Sequence, residues 1–173
     1  PRLFTQNYKD IRTLTIVFFT EYPVKSDDFI LSAYEKFCHV TRKKILSAAV
    51  DRTEPKPRLI GNDGETLTEF SLSHSGKYVV CAMSEKPVGV DIQLKKETAA
   101  EDISERFFGQ KITDKDEFFD EFGKGEATTK LHGIPLSEGL RTREGKTYRL
   151  FDGYAFALCG GDEAVFFNEI KYE

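Results

Sequence analysis

Apolar and polar positions alternate along this chain with two periods, one fitting strands and one fitting helices. Leu14-Thr15-Ile16-Val17-Phe18-Phe19 is β-branched and aromatic and predicts a strand. Ser26 followed by Asp27 and Asp28 predicts a helix start, a hydroxyl cap with acids in the positive first turn. The helix runs through Phe29, Tyr34 and Phe37, and the pattern predicts a restart at Thr41 that buries Ile45, Leu46 and Ala49. Pro55-Lys56-Pro57 breaks any helix, and Gly61-Asn62-Asp63-Gly64 is a turn. Strands are predicted over 70–73, 78–83 and 88–93, with Ser75-Gly76 and Glu85-Lys86-Pro87 turning the chain between them. Helices follow over 98–108, ending at Gly109, and from Thr113 to about His132, stopped by Gly133 and Pro135. The tail predicts strands over 147–151, 154–159 and 164–171.

One internal echo stands out. Gly76-Lys77-Tyr78-Val79-Val80-Cys81-Ala82 leads into a turn and the strand ending at Asp91-Ile92. Asp152-Gly153-Tyr154-Ala155-Phe156-Ala157-Leu158 leads into Gly160-Gly161-Asp162-Glu163 and the strand ending at Glu169-Ile170. Each half therefore reads helix, hairpin, strand. Two similar lobes with a cleft between them would produce this pattern, as would chance likeness of two hairpins.

Length and composition narrow the classes. At 173 residues the chain fits one domain or two small lobes, and folding removes roughly 70% of the surface the unfolded chain exposes, so no staples are required. The 25 Lys+Arg against 29 Asp+Glu leave a net charge of −4, which argues against wholesale nucleic-acid binding. Cys38, Cys81 and Cys159 are odd in number and far apart, which predicts reduced core thiols in a cytoplasmic protein. The run from Leu14 to Phe19 is far too short for a membrane span, and no signal peptide pattern precedes it.

Three segments carry candidate chemistry. In Val88-Gly89-Val90-Asp91-Ile92-Gln93, alternation sends Asp91 and Gln93 to one strand face, where a carboxylate is a plausible ligand for a hard cation or simply a solvated residue. On the second long helix, Phe122, Glu126 and Lys130 share a stripe; Glu126 and Lys130 read either as an i,i+4 ion pair or as a metal ligand and a phosphate contact. The glycines Gly123 and Gly125 in mid-helix each cost about 1 kcal/mol relative to alanine, which predicts close backbone approach there. Phe70-Ser71-Leu72-Ser73-His74-Ser75-Gly76 offers hydroxyls, an imidazole and a turn suited to an anion. Ser73 and His74 point to opposite strand faces, so a hydrolase nucleophile–base pair is disfavoured, and there is no GxSxG elbow. The basic run Arg42-Lys43-Lys44 ordinarily means a solvated helix face.

Taken in order, Phe-Ser-Leu-Ser-His-Ser-Gly (70–76), Pro-Val-Gly-Val-Asp-Ile-Gln (87–93), Glu-Arg-Phe-Phe (105–108) and Glu-Ala-x-x-Lys (126–130) closely resemble the 4′-phosphopantetheinyl transferases of the surfactin-synthetase-activating type. Lys56-Pro57 is similar to that family's Gly-Lys-Pro, and the likeness by motif runs from about Lys43 to Leu136. Phe122, Gly125 and Gln93 depart from the family pattern, which usually has Trp, Lys and often Glu there. The resemblance implies an α+β, pseudo-twofold fold of two helix-plus-antiparallel-sheet lobes, 1–87 and 88–173, acting as a monomer with the ligand in the cleft. It implies transfer of phosphopantetheine from coenzyme A to a serine of an apo acyl or peptidyl carrier protein, with adenosine 3′,5′-bisphosphate released. By position it implies Asp91, Gln93 and Glu126 on Mg²⁺ (or Mn²⁺), with Lys43, Lys56, Ser73 and His74 on the adenosine phosphates. Lys130 falls on the lysine that reaches the pyrophosphate, and Glu126 is the candidate base. The expected partners exclude nucleic acid and membrane. The rival reading is a degenerate member that binds coenzyme A or a carrier without transfer.

Overall fold

A computed structural model describes residues 13–172, so the first positions of the expected N-terminal lobe and the last position of the C-terminal one lie outside the described residues. The elements in chain order are β1 (Leu14–Glu21), α1 (Ser26–Thr41), β2 (Ala49–Asp51), β3 (Arg58–Ile60), β4 (Thr66–Ser75), β5 (Tyr78–Ser84) and β6 (Val88–Leu94). There follow α2 (Ala100–Phe108), α3 (Lys115–His132), α4 (Leu136–Thr142), β7 (Lys146–Thr147), β8 (Tyr154–Gly160) and β9 (Ala164–Glu169). The fold is α+β, with two sheets ordered β2-β3-β4-β5-β1-β9 and β6-β8-β7.

Side-chain alternation stacks these elements into layers. In β1, Ile16 and Phe18 face α1 and join Phe29, Ala33 and Phe37, while Val17 between them faces the other way. Val17 meets Val80 and Ala82 of β5 and Val88, Val90 and Ile92 of β6, forming a core between the two sheets. On the far side of the small sheet, Ala127 and Leu131 of α3 pack on Ala157 and Cys159 of β8. The order of layers is thus α1, large sheet, small sheet, α3. The strand after each hairpin turn changes sheet: β6 leaves β5 to pair antiparallel with β8, and β9 leaves β8 to pair parallel with β1.

The expected restart of α1 is not formed. The helix closes at Thr41, where Arg42 adopts a left-handed conformation (φ 56°) and its N–H and that of Lys43 return to the carbonyls of His39 and Cys38. Ile45 and Leu46 are 42% and 43% exposed, and Ala49 enters the β2–β3 hairpin around Pro55-Lys56-Pro57. Ala49–Asp51 pairs antiparallel with Arg58–Ile60, so the ladder takes up their backbone hydrogen-bonding groups instead. The strand expected over 147–151 shortens to Lys146–Thr147, because Phe151 turns inward to the rings of Phe19, Tyr78 and Tyr154. Helix α4, absent from the sequence expectation, restarts directly after Pro135. The three cysteines are free and buried, as expected.

Candidate active site

The site forms where β4, β6 and α3 meet, and a serine ladder holds β4 to β6. As the edge strand of the small sheet, β6 presents unpaired backbone N–H groups toward β4. Period-two alternation puts Ser71, Ser73 and Ser75 on one face of β4, and their hydroxyl oxygens accept from the N–H groups of Val90 (3.0 Å), Ile92 (3.3 Å) and Leu94 (2.9 Å). A polar side chain thus stands where a strand partner would otherwise be, and the two sheets are tied at their junction.

The opposite face of β6 carries Gly89 and Asp91 toward α3. A Cβ on Gly89 would lie 2.0 Å from the Ala127 carbonyl oxygen and 2.7 Å from the Leu131 nitrogen, so only glycine lets the helix settle this deeply. A Cβ on Gly123, by contrast, would meet the Ala157 Cβ at 3.5 Å and Asp91 Oδ2 at 3.9 Å, ordinary contact distances that leave room for it. Of the two mid-helix glycines, the expected close approach is present at Gly125, whose would-be Cβ lies 2.9 Å from the Leu140 Cα, and not at Gly123. Gly125 faces elsewhere: its Cβ would meet Leu140 of α4 at 2.5 Å.

Asp91, only 2% exposed, is the hub. Its Oδ1 accepts from Ser73 Oγ at 2.9 Å and from Lys130 Nζ at 2.8 Å, and its Oδ2 accepts from Gln93 Nε2 at 2.9 Å. Lys130 also donates to Ser73 Oγ at 2.9 Å and to the Val90 carbonyl at 3.0 Å. The i,i+4 ion pair with Glu126 is not what Lys130 makes; it reaches across to the strand instead. Glu126 stands close enough to Asp91 to feel its charge. Burial raises the Glu126 carboxyl above the ordinary glutamate range, Asp91 adds to that, and Lys130 works against it. Two neighbouring carboxylates and an amide make an oxygen-bearing set suited to a hard divalent cation. Among the described residues, no group of three or more His, Cys, Asp or Glu side chains could hold a metal by itself. A cation here would complete its shell with water and ligand oxygens, which Mg²⁺ prefers.

The remaining candidates lie around this hub at different distances from it. Lys56 and Lys130 line one cavity of about 460 Å³, with Arg52, Pro57, Ser71, Thr129 and Ile134. Lys56 is otherwise 3.8 Å from Glu69. His74, on the face of β4 opposite Ser73, lines a second cavity of about 830 Å³ beside Tyr22, Lys25, Asp27, Arg52 and Leu72. Its ring stacks on Tyr22 at 6.4 Å. The opposite facing of Ser73 and His74 agrees with the alternation argument. Arg52 and Leu72 border both cavities, and Arg52 is held by Asp27 at 2.5 Å. Sequence reasoning missed Arg52, although its place three residues before Pro55-Lys56-Pro57 was a signal. Lys43 forms an ion pair with Glu85 and lines neither of these cavities.

No protein-family model matches the chain. It is 31% identical over 121 residues to the 4′-phosphopantetheinyl transferase Sfp of Bacillus subtilis (strain 168), an alignment taking in 52% of this chain and 54% of that protein. A second likeness, 49% identical over 39 residues, is to a 4′-phosphopantetheinyl transferase of Bacillus subtilis and takes in 22% of this chain and 17% of that one. The matched region spans about half the length of the first relative and less of the second. These likenesses bear out the resemblance drawn from the ordered motifs.

Proposed function

We propose, from this kinship with the Sfp-type 4′-phosphopantetheinyl transferases, that the chain moves phosphopantetheine from coenzyme A to a serine of an apo acyl or peptidyl carrier protein. The observation that carries the reading is the convergence of the buried Asp91 with the half-buried Glu126 and Lys130 beside a cleft lined by Lys56. Asp91 and Glu126, with Gln93 beside them, would hold Mg²⁺ or Mn²⁺. A bound divalent ion supplies charge neutralisation and polarisation of the pyrophosphate.

The chain's own residues account for the rest. Glu126 is assigned to take the proton of the attacking carrier serine, directly or through a water held beside the metal. A bond forms between the serine oxygen and the phosphorus bearing the pantetheine arm, and the bond to the departing phosphate oxygen breaks, releasing adenosine 3′,5′-bisphosphate. Lys130 steadies the charge that develops on that oxygen. Lys56 and His74, each lining one of the two cavities, are assigned to the adenosine and its phosphates, and Arg52, which borders both, joins them; Ser73 and Lys43, which line neither, are assigned there through the resemblance alone. The exchange of β6 and β9 between sheets supports a pseudo-twofold pair of lobes, 1–87 and 88–173; a cytoplasmic monomer is part of the reading through the resemblance alone. The Gly125 departure from the family pattern answers to Leu140 of α4 rather than to the Asp91–Lys130 cluster, which favours an active enzyme over the degenerate binder.

The test is incubation of the purified protein with Mg²⁺, coenzyme A and a panel of apo carriers. One carrier should gain the mass of one phosphopantetheine, and Asp91→Ala and Glu126→Ala, folded to the wild-type extent, should each lose that gain. Coenzyme A binding with no carrier ever modified would establish the binder reading instead.

A further inference from the structure

Lys130 is held in a seat as complete as an ammonium can have. Its three N–H donors meet three oxygens, Asp91 Oδ1 at 2.8 Å, Ser73 Oγ at 2.9 Å and the Val90 carbonyl at 3.0 Å. With Ser73 also donating to it, Asp91 Oδ1 has both lone pairs engaged. Oδ2 is occupied by the Gln93 amide. The carboxylate assigned to the metal thus has no free lone pair in the plane on Oδ1, and the cation already facing it belongs to the protein. By contrast, Glu126 gains no hydrogen bond from Lys130, only its charge.

We propose that Lys130 is the resident cation of the metal seat, so that its ammonium and a divalent ion compete for Asp91 Oδ1. This rests on the reading of Asp91 as a metal ligand. Burial of Asp91 makes an unpaired charge there costly, and Lys130 removes that cost while no metal is present. The Lys130 side chain is 29% exposed on the cavity it shares with Lys56, so it has room to swing into that cavity. A phosphate oxygen in the cavity gives the displaced ammonium a second partner. The same motion then brings Lys130 to a ligand phosphate and opens Asp91, which couples the two loading events through one side chain.

The test is equilibrium binding to the ligand-free full chain, with Mn²⁺ as the probe, followed by electron paramagnetic resonance of the free ion. Lys130→Met should bind Mn²⁺ at least about tenfold more tightly than wild type, the factor expected when one charge-assisted hydrogen bond no longer has to be broken. Lys124→Met, which removes an α3 ammonium paired instead with Glu121, should change the affinity by less than about twofold. Because Lys130→Met leaves Asp91 buried without a cation, wild-type protein supplies an independent readout. Its Lys130 ammonium, labelled with ¹⁵N, should give a protected resonance that disappears on saturation with diamagnetic Mg²⁺. Unchanged Mn²⁺ affinity in Lys130→Met, or persistence of the resonance at saturating Mg²⁺, overturns the competition. Binding of Mn²⁺ that Asp91→Asn does not weaken overturns the metal-site reading itself, a result separable from either of those.

Discussion

Gly89→Ala is a one-carbon change that tests whether helix depth builds the site. The new Cβ would arrive 2.0 Å from the Ala127 carbonyl oxygen, 2.7 Å from the Leu131 nitrogen and 3.0 Å from the Ala127 carbonyl carbon. All three are backbone atoms of α3, so no rotamer change can relieve the clash. Ordinary non-bonded separation is roughly 3.5 Å, which asks α3 to retreat by about 1–1.5 Å. Lys130 Nζ sits only 2.8–3.0 Å from its three acceptors, and a retreat of that size takes those contacts beyond the hydrogen-bonding range of about 3.2 Å. Overpacking a close-packed interior costs about 1–3 kcal/mol, and the unyielding obstacle here puts the expectation near 3. With a urea m-value of about 2 kcal/mol/M, the unfolding midpoint should fall by about 1.5 M. Transfer to the carrier, measured under conditions where the variant remains folded, should fall about a hundredfold, as expected of a 1 Å misplacement. A variant that loses stability yet transfers at the wild-type rate would refute the link between helix depth and chemistry. An unchanged midpoint would refute the packing argument itself.

Two further predictions concern the elements that surround Asp91. Ser71→Ala leaves the Val90 N–H buried without an acceptor and should cost about 1–3 kcal/mol in chemical denaturation, whereas Ser75→Ala, at the exposed end of the ladder, should cost under about 0.5 kcal/mol; equal losses would dismiss the ladder as the tie between sheets. Glu126 has a folded-state carboxyl raised above its unfolded value, so its contribution favours the fold at low pH and is lost as pH rises through the raised value. Glu126→Gln should therefore make the metal-free protein more stable than wild type at neutral pH, with the gap closing as pH falls into the ordinary carboxylate range. A gap that does not vary with pH in thermal melts would contradict the assigned burial and Asp91 repulsion.

Period-two and helical patterning located most of the elements, because each buries one face and a buried face is written in the order of apolar residues. Phe29, Tyr34 and Phe37 on α1 and Val88, Val90 and Ile92 on β6 are core residues for that reason. The same alternation put Asp91 and Gln93 on one face and separated Ser73 from His74, as observed. Local pattern failed where a neighbour distant in sequence decided the outcome. Ile45 and Leu46 look like a helix stripe, but α1 closes at Arg42 and both side chains stay half-exposed. Gly125 looked like a lost cation, and only α4 shows that Leu140 occupies its place. Lys130 looked like the i,i+4 partner of Glu126, but β6 offers it two oxygens and β4 a third, and a buried carboxylate outcompetes a partly solvated one for an ammonium. The sequence by itself determined which residue types carry the chemistry and on which faces of their elements they stand. The depth to which α3 sinks onto Gly89, the serine tie across a sheet edge and the choice of Asp91 as partner for Lys130 were decided by tertiary packing, since each depends on distances between segments that no local period encodes.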